Sequence, residues 1–156
     1  MVGTRTTKEI LMKVSDVISS KGSSAIYTVQ PLATIEELCD RLAEHNIGAL
    51  VVSENGETMI GVVSERDVVR KLRDVANPRK HTVADIMTPR AKVHTCSPDD
   101  TFDALLELMT EHRVRHVPVI ENDKVVAVIS IGDAVKTRTE QLEFERDQLN
   151  RYVAGG

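Results

Sequence analysis

An internal duplication dominates this sequence of 156 residues. The segment 26–31, IYTVQP, matches the segment 93–98, VHTCSP, which lies 67 residues later. Further along, the segment 61–67, GVVSERD, matches 127–133, AVISIGD, at an offset of 66. A chain that repeats itself once is expected to fold as two similar units that pack on each other.

Each copy has the same order of predicted elements. An extended segment precedes apolar residues at helical spacing, and the predicted helix begins at Thr34 in one copy and at Thr101 in the other. Two runs rich in β-branched residues follow in each copy. In the first copy the Asn55-Gly56 pair lies between them and is a strong hairpin signal. A second helix begins near Ser64 or Ser130. Each unit is therefore predicted as β-α-β-β-α, and the chain as an α+β fold.

The predicted units are too small to bury an apolar face alone, so we expect the two copies to pack against each other. An N-terminal segment and the first repeat occupy 1–76, the second repeat 77–136, and a C-terminal helical extension 137–156. Leu142 and Leu149, one heptad apart, give the extension an apolar edge that packs on its own module or on a second subunit.

Charge and composition narrow the classes of function. The net charge of −4 gives no overall positive field, so neither nucleic acid nor a membrane is an expected partner. No apolar run could span a bilayer and no secretion signal is recognisable, which predicts a cytoplasmic protein. Cys39 and Cys96 are isolated, and no Walker motif or catalytic constellation is evident, so we expect no metal site and no enzyme activity.

Four short motifs resemble the cystathionine-β-synthase (CBS) domain family. They are the paired endings at 61–67 and 127–133, the segment RHVPV at 115–119, and DIMT at 85–88. The resemblance covers about residues 12–136, and it implies a tandem pair of repeats packed as one pseudo-two-fold module with clefts between the repeats. It implies a sensor of adenine nucleotides, with AMP expected first and ATP, ADP or NAD as alternatives. It also implies a homodimer that acts on an unidentified protein target.

The resemblance further implies two binding sites, each combining the Ser-x-x-Asp ending of one repeat with the leading segment and first hairpin strand of the other. The first site would contain Ser64, Arg66, Asp67, Thr88, Ala91, Val93, Arg115, His116, Val117 and Pro118. The second would contain Ser19, Ser24, Ile26, Gly48, Ala49, Leu50, Ser130, Gly132 and Asp133. An aspartate can accept hydrogen bonds from a ribose diol, and a helix N-terminus with a serine hydroxyl can bind phosphate.

Other interpretations of these residues stay open. Ser-x-x-Asp is itself a capping box, in which the serine caps a helix and the acid returns a hydrogen bond, and both roles can coexist. Arg113 is interpreted as a solvated charge, and His45 and His112 as partners of helix dipoles. A ligand-independent dimeric scaffold is the alternative function.

The two predicted sites differ in charge. Gly48 and Ala49 stand in the second site where Arg115 and His116 stand in the first. Because arginine donates charge-assisted hydrogen bonds to phosphate, we expect the first site to prefer more phosphorylated nucleotides. We expect the second to accept a nucleoside, a monophosphate or part of a dinucleotide.

Overall fold

The computed structural model describes residues 11–21, 25–74, 76–77 and 80–155, without the side chains of residues 72 and 74. The first half of the chain follows the predicted order of elements after one leading helix. Its elements are α1 (Val14–Ser20), β1 (Thr28–Val29), α2 (Ile35–His45), β2 (Ala49–Val52), β3 (Gly61–Ser64) and α3 (Glu65–Asp74).

The second half repeats this order. It contains α4 (Val83–Ile86), β4 (Thr88–Pro89), a 3-10 turn (Arg90–Lys92), α5 (Phe102–His112), β5 (His116–Glu121), β6 (Lys124–Ser130) and α6 (Ile131–Gly155). The mixed fold with duplicated units and a C-terminal helix confirms the predicted fold class. Among the described helices, none combines the length and the apolar character that crossing a bilayer requires.

The strands form two small sheets, each built on the hairpin of one half, and β4 of the second half joins the first sheet. In the first sheet the order is β1-β2-β3-β4, with β1 parallel to β2 and the other pairs antiparallel. The second sheet is the antiparallel hairpin β5-β6. Cys96 makes a parallel bridge to Val119 at the place that β1 occupies in the first sheet, so the equivalent segments of the two halves lie beside the equivalent hairpin strands.

Helix caps explain why the equivalent helices α2 and α5 begin where the sequence predicts. The Thr34 hydroxyl accepts a hydrogen bond from Glu37 N at 3.1 Å, and the Glu37 carboxylate accepts one from Thr34 N at 3.0 Å. The Thr101 hydroxyl accepts from Ala104 N at 3.1 Å. Such caps satisfy amide groups that have no partner inside the helix, and each stabilises the fold by about 1 kcal/mol.

The two hairpins turn differently. The Asn55-Gly56 pair lies in a long loop between β2 and β3, where the Asn55 side chain accepts hydrogen bonds from two backbone amides and Gly56 has φ 81°. The tight turn belongs to the second copy, where Asn122 and Asp123 have φ 51° and 63°, the signs of a type I′ turn.

The two halves exchange their leading helices. Val14 N of α1 donates to Asp100 O at 2.8 Å, and Val83 N of α4 donates to Ala33 O at 2.9 Å. Helix α1 therefore precedes the first repeat but packs in the core of the second, beside Phe102. Helix α4 packs in the core of the first repeat. This exchange ties the halves together and directs the segment after each leading helix into the space between them.

A third apolar cluster lies where the two sheets meet. It contains the buried side chains of Val51, Met59 and Val125, with Val62 and Val128 packed against them. Each Å² of apolar surface that this cluster removes from water contributes about 25 cal/mol of favourable free energy, so the cluster stabilises the association of the halves. Clefts remain at the edges of this contact, where side chains of both halves face each other.

Candidate functional site

Within the described part of the chain, two clefts combine the end of one hairpin with the leading segment of the other half. The first cleft, of about 550 Å³, contains the Ser64 and Asp67 ending. The second cleft, of about 480 Å³, contains the Ser130 and Asp133 ending. Both volumes fall in the range of small-molecule sites in proteins.

Most residues predicted for the first site line the first cleft. Val117 and Pro118 do not, because both are buried, and Val117 is fully enclosed in the core of the second half. Ala91 is exposed on the 3-10 turn and does not reach the lining. The predicted residues that the first cleft brings together are Ser64, Arg66, Asp67, Thr88, Val93, Arg115 and His116.

The second cleft brings together fewer of its predicted residues. Leu50 is 2% exposed and belongs to the core of the first half. Ser19 is exposed and donates its hydroxyl hydrogen to Ser15 O, while Gly132 is exposed in the first turn of α6, so neither lines the cleft. Ser24 lies outside the described residues. The predicted residues that do line it are Ile26, Gly48, Ala49, Ser130 and Asp133.

Both Ser-x-x-Asp endings form capping boxes. Ser64 N donates to Asp67 Oδ2 at 2.8 Å, and Asp67 N donates to the Ser64 hydroxyl oxygen at 3.3 Å. The corresponding distances at Ser130 and Asp133 are 2.9 and 3.1 Å. The capping role is therefore present in both copies. It fixes each carboxylate at a helix N-terminus that also lines a cleft.

Lys21 is a feature of the second cleft that the sequence interpretation missed. Its ammonium group donates to Asp133 Oδ2 and to Val128 O, both at 2.8 Å. Burial opposes ionisation of Asp133, but the hydrogen bonds from Lys21 and from Ser130 N lower the pKa of its carboxyl group overall. The basic residue at the equivalent position, Arg90, pairs instead with Asp123 at 2.6 Å. The two clefts therefore differ at the aspartate itself.

The first cleft carries much more positive charge. Its acidic residues are Glu65 and Asp67, whereas the second cleft contains the single ion pair of Lys21 with Asp133. Arg113, interpreted from the sequence as a solvated charge, is exposed but lies on the lining of the first cleft. The basic residues of the first cleft are Arg66, Arg70, Lys92, Arg113 and Arg115.

A stacked pair of rings flanks each cleft. Tyr27 and His45 have ring centroids 3.8 Å apart at an angle of 20°, and His94 and His112 have centroids 3.8 Å apart at 15°. His45 and His112 occupy the last turns of α2 and α5, as expected for dipole partners, but their stacking was not predicted. Tyr27 lines the second cleft and His94 the first.

His116 stands between the clefts and lines both of them, together with Gly48 and Ala49. A Cβ atom on Gly48 would lie 2.8 Å from Glu65 Oε1 and 3.4 Å from His116 Cε1, so this wall is thin and closely packed. Burial lowers the pKa of His116 below its ordinary value, although the carboxylates of Asp133 and Glu65 oppose the shift. Burial therefore favours the neutral form of the imidazole.

Comparison with known proteins gives one consistent result. The model of the CBS domain family matches residues 14–74 and 83–140. The chain is 37% identical over 149 residues to the CBS domain-containing protein CBSX3, mitochondrial, of Arabidopsis thaliana, covering 92% of this chain and 72% of that protein.

Solved structures agree with the sequence comparison. A CBS-domain containing protein from Agrobacterium tumefaciens is 38% identical with a TM-score of 0.75, over 82% of this chain and 94% of that one. The CBS domain pair of protein MJ0100, in complex with 5′-methylthioadenosine and S-adenosyl-L-methionine, is 23% identical with a TM-score of 0.72. That comparison covers 84% of this chain and 98% of the other, and at this identity it establishes the fold.

Proposed function

The chain belongs to the CBS-domain family, and from that premise we propose that it is a regulatory module that binds adenine nucleotides in the two clefts between its repeats. AMP is the expected ligand, with ATP, ADP and NAD as alternatives. The observation that carries this proposal is the repeated cleft, in which an aspartate at a helix N-terminus faces the leading segment of the other half.

The chemistry of each cleft suits an adenosine group. Asp67 and Asp133 use one oxygen for the helix cap, so the second oxygen of each carboxylate is available to accept from a ribose hydroxyl. The apolar side chains of Val93 and Ile26 offer surface to a purine. The adenosyl compounds bound to protein MJ0100 support this choice of ligand class, since both contain adenosine.

We infer that the clefts prefer different ligands. The arginines and lysine of the first cleft can donate charge-assisted hydrogen bonds to a phosphate chain. In the second cleft Lys21 is already paired with Asp133, which leaves little net charge for phosphate. The first cleft is therefore expected to favour ATP or ADP, and the second a nucleoside, AMP or part of NAD.

Regulation by such a module requires a second protein. A ligand shifts a conformational equilibrium only by its differential affinity for the two states, so the signal must pass from the clefts to an interface. We propose that the protein is a cytoplasmic homodimer without catalytic activity that acts on a partner protein. ATP turnover that disappears in Asp67→Ala would contradict the absence of catalysis.

Thermal unfolding with each nucleotide tests the binding proposal. A ligand at a hundredfold excess over Kd stabilises the folded state by about 2.7 kcal/mol. For a chain of this size that corresponds to a rise in Tm of about 5–10 °C. Mass spectrometry of small molecules released from freshly purified, denatured protein would identify any nucleotide retained from the cell.

The variants Asp67→Ala and Asp133→Ala should reduce this stabilisation, but each also removes a helix cap. Asp85→Ala is the matched control, because Asp85 Oδ2 accepts from Thr82 N at 2.8 Å in the same kind of capping box away from both clefts. It should lower Tm in the absence of nucleotide and leave the nucleotide-induced rise unchanged. A scaffold without ligand, the alternative function, predicts no rise with any nucleotide in the wild type.

A further inference from the structure

We propose that His116 couples the two clefts, so that a negatively charged ligand bound in one of them changes the affinity of the other. This inference rests on the proposed function, because it requires that both clefts bind nucleotide. Two independent sites would not affect each other, whereas this coupling lets a ligand in one cleft regulate ligand binding in the other cleft of the same module.

His116 contacts elements that belong to both clefts. It is the first residue of β5 and pairs with Ser130, the last residue of β6 and the cap of α6. Its ring also approaches Gly48, whose carbonyl oxygen accepts a hydrogen bond from Glu65 N at the start of α3. One imidazole thus lies beside the helix N-termini that belong to both clefts.

Charged groups from both clefts surround the ring of His116. The carboxylates that face it come one from each cleft, Asp133 from the second and Glu65 from the first, and the cations are Arg115 and Lys21. Burial keeps the ring neutral by lowering its pKa. An anionic ligand in either cleft would favour the protonated ring, because an opposite charge within a few ångströms stabilises an imidazolium.

The sign of the effect follows from linkage. A bound anion raises the pKa of His116, so binding takes up a proton, and affinity increases as the pH falls through the window between the free and bound pKa values. Each unit of that rise corresponds to about a tenfold gain in affinity from the high-pH limit to the low-pH limit. Since the same protonated ring faces the other cleft, a second anion then binds more tightly.

Direct repulsion between two bound anions acts in the opposite direction but does not depend on the protonation of His116. The proposal therefore concerns the part of the coupling that changes with pH. That part should appear between about pH 5 and about pH 8, where histidine titrates.

Calorimetric titration with AMP measures the two stepwise dissociation constants at these pH values. In the wild type the ratio of the second to the first constant should fall as the pH falls from about 8 into the window between the free and the AMP-bound pKa values of His116. In His116→Gln, which has a neutral side chain at every pH, the ratio should change only as much as titration of the AMP phosphate requires. His81→Gln is the matched control, because His81 is a histidine that lines neither cleft, and it should keep the wild-type dependence.

A direct NMR measurement avoids reliance on the variant's stability. The Cε1–H resonance of His116, recognised by its absence in His116→Gln, should titrate at higher pH with AMP bound than without. Should AMP not bind, the titration is made with ADP, ATP or NAD, and if none of the four binds to the wild type the proposed function itself is contradicted. Binding of one AMP per chain, or of two with equal pH dependence in wild type and His116→Gln, would overturn the coupling and leave nucleotide binding intact.

Discussion

Replacement of Lys21 by methionine tests the electrostatic account of the second cleft. The Lys21 ammonium donates to Asp133 Oδ2 and Val128 O, both at 2.8 Å, and the side chains of Lys21 and Asp133 are each 27% exposed. A hydrogen bond to a charged group contributes about 1.5–3 kcal/mol. Partial exposure reduces this value, so we expect Lys21→Met to lose about 1–2 kcal/mol of unfolding free energy at pH 7.

The pH dependence of that loss gives a sharper test. The pKa of Asp133 is lowered in the folded protein. The ionised carboxylate therefore contributes fully to the free energy of unfolding above the unfolded pKa of about 3.9, and this contribution is lost as the pH falls through the lower folded pKa. The difference between wild type and Lys21→Met should therefore shrink as the pH is lowered below about 4. Urea unfolding at several pH values, followed by circular dichroism, measures it.

Arg90→Met is the matched control for this experiment. Arg90 occupies the equivalent position in the second half, but in its pair with Asp123 the side chains are 41% and 72% exposed. Exposed pairs contribute at most about 1 kcal/mol. A loss in Arg90→Met as large as in Lys21→Met, or a Lys21→Met effect that stays constant down to pH 3, would refute the reasoning.

Three further predictions concern reactivity, the core and the wall between the clefts. Burial raises the pKa of Cys96 to about 12, whereas Cys39 is exposed, although burial of its thiol and the Asp40 carboxylate raise its pKa as well, so Cys39 should react faster than Cys96 with a thiol reagent in the native protein at pH 8, as measured by absorbance. Phe102→Ala should cost about 3–5 kcal/mol in urea unfolding, because Phe102 is 1% exposed, whereas Phe144→Ala at 65% exposure should cost less than about 0.5 kcal/mol. Gly48→Ala should weaken nucleotide-induced thermal stabilisation only modestly, because its Cβ would lie 2.8 Å from Glu65 Oε1 and the flexible Glu65 side chain can shift within the shared wall.

The duplicated elements were predictable because local chemistry determines them. Thr34 and Thr101 cap helices at the predicted residues, and Ser64 and Ser130 mark the transitions from strand to helix. These features depend on residues within three or four positions in the chain, which the sequence displays directly. The offset between the copies then indicates which elements correspond.

The positions of particular site residues were harder to predict. Strand alternation directs Val117 into a core while its neighbour His116 faces the clefts, and Leu50 is likewise buried beside Ala49. Because successive side chains of a strand point to opposite faces, the sequence already indicated that His116 and Val117, and likewise Ala49 and Leu50, could not both face a cleft. Which face meets the core, however, depends on packing of the two halves.

Tertiary structure alone determines the role of Lys21. Lys21 and Arg90 follow equivalent leading helices, yet one enters a cleft and the other pairs with a hairpin turn at Asp123. The exchange of α1 and α4 between the halves likewise joins residues far apart in the chain, such as Val14 and Asp100. No local pattern encodes such contacts.

Equilibrium dialysis with radiolabelled AMP tests the central claim most directly, because it counts bound nucleotide without assuming any change in stability. We predict two molecules for each wild-type chain, one for Asp67→Ala or Asp133→Ala, and none for the double variant. No retention of AMP, or of labelled ADP, ATP or NAD in the same assay, by the wild type would contradict nucleotide binding between the repeats, as would undiminished retention by a double variant that remains folded.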